Sequence, residues 1–158
     1  MFELWSVDLA LDPRQLSSTL EGFRDVLSYA ISPDGAWVMH LGDVRQDQTD
    51  ELFGTPLDAA TPLVAYNEPL LPGLVFGDVL SFQATDDGAR VVYRADERSD
   101  EYFELFSTRA DGRGATTRLT ELLSDEGDAL ARFVLTPDGE NVLFKFLRAG
   151  GATLFSSP

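Results

Sequence analysis

Three turn tetrapeptides, Ser32-Pro33-Asp34-Gly35, Thr85-Asp86-Asp87-Gly88 and Thr136-Pro137-Asp138-Gly139, set glycines 53 and 51 residues apart. A second marker steps in the same way. Leu4-Trp5, Leu52-Phe53, Leu105-Phe106 and Leu154-Phe155 recur at intervals of 48, 53 and 49. Two independent rulers on one period define an internal repeat, and that period constrains the fold more than any other feature of the chain. The middle copy, Asp78 to Leu122, shows what one unit contains. Val79-Leu80-Ser81-Phe82 alternates, a turn follows, and Arg90 to Ala95 alternates again. A charged loop then leads to Phe103 to Ser107 and finally to Thr116 to Leu119. These are short strands separated by turn chemistry, and strand alternation throughout the unit excludes the helical repeats. In the first and third turns proline presets φ, and in all three the glycine after Asp34, Asp87 or Asp138 takes the strained position. Asp111-Gly112 is read as a further turn.

A four-stranded antiparallel unit of about 50 residues matches a β-propeller blade. The chain is therefore expected to be all-β, with about three blades. The units are a partial blade over residues 1–22, blades over 23–76 and 77–127, and a partial blade over 128–158. Residues 3–9 and 14–20 read as the last two strands of the first partial blade, so the chain begins mid-blade or is a piece of a longer polypeptide. Leu154 to Pro158 stops inside a third strand. In the strand over 36–41, Trp37, Met39 and Leu41 share one face, and Val38 and His40 the other. Trp5, Phe53, Phe106 and Phe155 recur at one position and Tyr29, Phe82 and Phe133 at another, and both sets are assigned to the core. The connector over 67–77, with Leu70, Leu71, Leu74, Val75 and Phe76, is expected to pack on a face. The acidic connector over 124–128 is expected to be exposed.

The chain has 158 residues, 44% of them hydrophobic, which is enough for a substantial core. A single blade cannot bury both of its faces, so stability must come from stacking neighbours. Twelve Lys and Arg against 27 Asp and Glu give a net charge of −15, which disfavours nucleic acid and anionic membrane surfaces as partners. The absence of cysteine excludes disulfides, thiolate catalysis and Cys-ligated zinc. No apolar run approaches the ~20 residues of a membrane helix, and Met1 to Ala10 lacks the basic start and apolar stretch of a signal peptide.

One polar constellation is duplicated. Asp43-x-Arg45-x-Asp47-x-x-x-Glu51 recurs as Asp96-x-Arg98-x-Asp100-x-x-x-Glu104, offset by 53. Oxygen ligands at near-alternating loop positions are what calcium requires, so Asp43, Asp47, Asp96 and Asp100 are the candidate metal ligands. The competing reading is a salt-bridged loop that caps a strand connection. It is favoured by the arginine between the carboxylates and by the lack of a glycine at the bend. His40 is the only histidine, and no Gly-x-Ser-x-Gly elbow occurs, so a Ser-His-Asp scheme has one residue to pass through. Its strand position favours a packed side chain instead. No glycine-rich phosphate loop opens a helix, and no catalytic or cofactor-binding residue is assigned.

Ser32-Pro33-Asp34-Gly35, the alternating strand after it, the Asp-rich loop and Glu51-Leu52-Phe53 resemble the WD40-like PD40 repeats of TolB-type β-propellers. The second unit, with Val91 to Asp96 and Phe103 to Ser107, is similar to repeats strung together in large secreted bacterial proteins. The copies depart from the pattern at Thr85-Asp86, which replaces Ser-Pro, and at Ala149-Gly150-Gly151, where a loop is shortened. The strand count, short of a closed ring, and loops carried on a rigid sheet scaffold lead to the expectation of a non-enzymatic segment acting in self-assembly or protein recognition, and the resemblance implies the periplasm or outside the cell. Partners would be further copies of the chain or the rest of a longer propeller. Two copies would form a six-blade ring, or a filament if the rotation does not close, with Arg14 to Leu20 supplying a missing fourth strand. The alternatives are the accessory propeller of a serine hydrolase or a calcium-dependent adhesive repeat.

Overall fold

In the computed structural model, described for residues 2–7, 12–17, 19–22, 24–59, 62–68, 70, 78–99, 101–120, 128–148 and 150–158, strands follow one another as simple meanders. β1 (Trp5–Val7) pairs with β2 (Pro13–Gln15). β3 (Val26–Ile31), β4 (Trp37–Gly42), β5 (Glu51–Pro56) and β6 (Val64–Ala65) form a four-stranded sheet in that order. A second such sheet contains β7 (Val79–Ala84), β8 (Arg90–Ala95), β9 (Glu104–Arg109) and β10 (Thr117–Arg118). β11 (Asp128–Leu135), β12 (Val142–Arg148) and β13 (Gly151–Ser157) make a three-stranded sheet. All pairings are antiparallel, and no helix occurs among the described residues. The fold is the expected one: two complete four-stranded blades between two partial ones. Of the strand expected over 14–20 only its start is extended, although Leu16 and Leu20 beyond it are buried.

The Asp-Gly turns form as their chemistry requires. Gly35, Gly88 and Gly139 have φ of +72°, +69° and +70°, and each donates its N–H to the turn's first carbonyl at 2.8 Å. The aspartate before each glycine closes the turn a second time. Asp34 accepts the Ser32 hydroxyl at 2.5 Å and the Ala36 N–H at 3.0 Å, and Asp87 and Asp138 repeat the arrangement. The hydroxyl bond, followed by the backbone bond, holds all three carboxyls below the ordinary range. The shortened loop of the third unit becomes a tight hairpin, with Arg148 opposite Gly151 and φ of +111° at Gly150.

The core lies between blades. Met39, Leu41, Leu52 and Tyr66 of the first complete blade pack on Val79, Val91, Tyr93 and Phe106 of the second. Val92 and Leu105 pack in turn on Ala129, Phe133, Phe144 and Phe146. Leu4 and Leu16 cover Val38, so the predicted division of Trp37, Met39 and Leu41 from Val38 and His40 holds. Cross-strand register also lines the aromatics into rows: Tyr29–His40–Phe53, Phe82–Tyr93–Phe106 and Phe133–Phe144–Phe155.

Two core assignments need correction. Tyr29 is 66% exposed and Trp5 50% exposed, whereas Phe53, Phe106 and Phe133 are buried. The residues are equivalent in the repeat, but burial comes from the neighbouring blade. On the side away from the second blade, the first complete blade is covered among the described residues by Leu4, Leu16 and Leu20, over Val38 and Phe53, and β3 beyond Val26 stays exposed. Most of the connector over 67–77, and residues 124–127, fall outside the described residues. Asp128, placed with the exposed acidic connector, instead begins β11 and is half-buried.

Candidate functional site

The loops that join β4 to β5 and β8 to β9 lie at the end of the sheets opposite the Asp-Gly turns, together with the starts of β3, β7 and β11. Here the duplicated constellation takes its form. Asp43 accepts the Asp25 N–H at 2.5 Å on one oxygen and the Gln48 N–H at 3.2 Å on the other. Asp96 does the same with Asp78 at 2.5 Å and Glu101 at 3.1 Å. Gln48 and Glu101 both sit at positive φ, +62° and +61°, which points their N–H groups at the carboxylate. Arg45 pairs with Glu51. Glu104 takes a different partner, Arg118, whose Nε lies 2.6 Å from it. Asp47 is exposed, and Asp100 lies outside the described residues.

These contacts match the capping alternative. Asp43 and Asp96 each accept backbone N–H groups on both oxygens, and Arg45 pairs with Glu51. Among the described residues, no group of three or more His, Cys, Asp or Glu is arranged to hold a metal.

A link between blades, not singled out in the sequence, is built from the same loops. Phe2, Asp50 and Phe103 each donate their N–H to an aspartate that begins the next blade: Asp25 at 2.6 Å, Asp78 at 2.9 Å and Asp128 at 3.2 Å. Each also accepts the N–H of the residue after that aspartate, Val26, Val79 or Ala129, at 2.9, 2.7 and 2.6 Å. The signal was present, since Asp25-Val26, Asp78-Val79 and Asp128-Ala129 obey the repeat. Arg94 reinforces the last junction. Its Nε donates to the Ala129 carbonyl at 2.5 Å, its guanidinium lies 3.5 Å from the Asp128 carboxylate, and it stacks 4.0 Å above the Phe103 ring.

Burial and the crowding of acids at the junction between the two complete blades shift their protonation. Burial, then the charges of Asp78 and Asp43, push Asp50 up to about 6. Burial likewise raises Asp78, opposed by the hydrogen bond from Asp50. Glu97 is pushed up to about 7 by burial, with Glu68 and Glu104 adding to the effect, while it accepts the Tyr93 hydroxyl at 2.7 Å. Tyr66 crosses to the second blade, its hydroxyl donating to the Ala110 carbonyl at 2.6 Å.

His40 is fully buried, stacks on Phe53 with ring centroids 5.6 Å apart, and has no hydrogen-bond partner on either ring nitrogen among the described residues. Burial lowers its pKa to about 4. It occupies the place of Tyr93, stacked on Phe106, and of Phe144, stacked on Phe155. The side chain through which a Ser-His-Asp scheme would have to pass is thus a member of an aromatic row.

No protein-family model matches the sequence, and no curated protein shows significant similarity. Solved structures do. One, from a study of two prolyl endopeptidases and the role of inter-domain dynamics in their catalysis and specificity, aligns over 94% of this chain with a TM-score of 0.60 and 12% identity. An oligogalacturonate lyase in complex with manganese aligns over 97% with a TM-score of 0.56 and 13% identity. This chain spans 23% and 40% of those two proteins. At such identities the likeness concerns the fold alone. Taken with the stacked meander sheets, it makes the chain a β-propeller segment.

Proposed function

We propose that this segment works by protein recognition rather than catalysis, its end blades docking onto further blades. The observation that carries this reading is the exposure of apolar side chains on both end sheets. Leu27, Tyr29 and Ile31 face outward at one end, and Val134, Leu143, Leu147 and Leu154 at the other. Their counterparts inside the stack, such as Phe133 and Leu105, are buried. Contiguous apolar faces of this kind mark interaction surfaces, and unpaired sheet edges beside them promote association. The turns and Glu-Leu-Phe strands support the finer placement among TolB-like PD40 repeats, and a periplasmic or extracellular setting follows from that placement.

Absolute mass in solution by light scattering, with and without millimolar calcium, tests the reading. Discrete or concentration-dependent species larger than 17.4 kDa support it. A monomer at every concentration refutes association through the end faces. Calcium-dependent growth would move the reading to a calcium-dependent repeat. The likeness to a prolyl endopeptidase favours a second reading, the accessory propeller of a serine peptidase. An adjoining hydrolase sequence with a nucleophile elbow would support it.

A further inference from the structure

The two exposed end faces correspond to the two sides of the contact already made inside the chain. The face of β11 to β13 that carries Leu143, Lys145, Leu147 and Leu154 is equivalent to the face of the second complete blade that packs on Phe133 and Phe144. Register makes the match specific. Arg94 lies opposite Leu105, and Lys145 lies opposite Leu154, each one residue after a stacked aromatic, Tyr93 or Phe144. Arg94 is the side chain that crosses to Asp128 and the Ala129 carbonyl. Lys145 is exposed, and it is the only lysine in a chain of net charge −15. At the opposite end, Asp25 and Val26 hold the place of Asp128 and Ala129, beside the exposed Leu27, Tyr29 and Ile31.

We infer that a second copy of this chain docks head to tail on the first, Lys145 of one copy reaching Asp25 and the Val26 carbonyl of the other. The inference rests on the recognition reading above and adds the partner and the polarity. The contact is heterologous, so each copy keeps one free face and growth continues unless the ring closes. β13 of the incoming copy meets β1, because Leu154-Phe155 and Leu4-Trp5 hold the same place in the repeat. β1 is held by a three-residue ladder and β13 by a seven-residue one, so β1 yields. β2 is then left beside β13 as the fourth strand of a composite blade.

Two variants at exposed positions test this by sedimentation velocity. Tyr29→Lys blocks the first face and leaves Lys145 intact, while Lys145→Glu repels Asp25 and leaves the first face intact. Each alone should weaken association about tenfold or more, Tyr29→Lys by placing a charge in an apolar face and Lys145→Glu by reversing one partner of a close charge pair. Mixed in equal amounts they should form a dimer, since the mixture contains one unblocked pair of faces. A wild-type chain that associates while the variants associate equally well, or while the mixture stays monomeric, overturns the head-to-tail contact and leaves the recognition reading standing. A wild-type chain that remains monomeric overturns both. Circular dichroism of each variant confirms that loss of association is not loss of fold.

Discussion

Replacing His40 with phenylalanine should stabilise the chain, by an amount that grows as the pH falls. The repeat supplies the rationale, because Tyr93 and Phe144 already occupy this place and stack as His40 does on Phe53. Two buried ring nitrogens without partners cost about 1–3 kcal/mol. The larger ring returns part of that gain as crowding, which leaves about 1 kcal/mol net near pH 7.5. The pH dependence follows from the histidine's depressed pKa, about 4 in the buried site against 6.5 for an ordinary imidazole. The unfolded chain takes up the proton first, so stability is intact above about pH 6.5 and is lost as the pH falls through about 4. A shift of that size corresponds to about 3 kcal/mol. Urea denaturation followed by tryptophan fluorescence, on wild type and His40→Phe between pH 4 and 8, measures the difference. It should widen from about 1 kcal/mol near pH 7.5 to about 4 kcal/mol near pH 4. A difference independent of pH would refute the buried neutral imidazole, and a destabilised variant at pH 7.5 would refute the aromatic equivalence.

Gly88→Val should lower stability by about 2 kcal/mol or more in thermal melts, because a branched side chain is strained at φ +69° and its Cβ would meet the Asp34 carboxyl at 2.6 Å. Unchanged melting would contradict the turn. Gly54→Ala should cost about 1–3 kcal/mol, since the added methyl falls 1.9 Å from the Tyr66 hydroxyl. Tyr66→Leu imitates Leu119 of the next blade and should remove most of the extra cost of Gly54→Ala, a coupling that a double-mutant cycle in urea measures. Additive effects would show that the clash is relieved elsewhere. Asp50→Asn should stabilise by about 1 kcal/mol at pH 7.5, a figure reduced for the solvent that reaches this half-buried group. Asp50 has its pKa raised to about 6, so its neutral form favours folding below about pH 4. That contribution is lost as the pH rises through 6, and the gain in the variant should vanish at pH 4.

Local sequence signals dictate the blade. Turn glycines at a period near 50, Asp-Gly pairs that need positive φ, and strand alternation between them allow one local geometry, because each of these signals acts within a few residues of itself. The sequence also contained the aspartates that begin each blade, legible through the same repeat although their role was not. The sequence alone left the duplicated aspartates open between cation binding and capping. The choice depends on where the N–H groups of Asp25, Gln48, Asp78 and Glu101 point, and that is set by loop conformation. Burial of the recurring aromatics was likewise decided by the tertiary structure. Tyr29 and Phe133 are the same residue of the repeat, yet one faces solvent and the other a neighbouring sheet. Period and alternation are properties of one strand and its turns, whereas burial and hydrogen-bond partnership belong to the next blade in the stack.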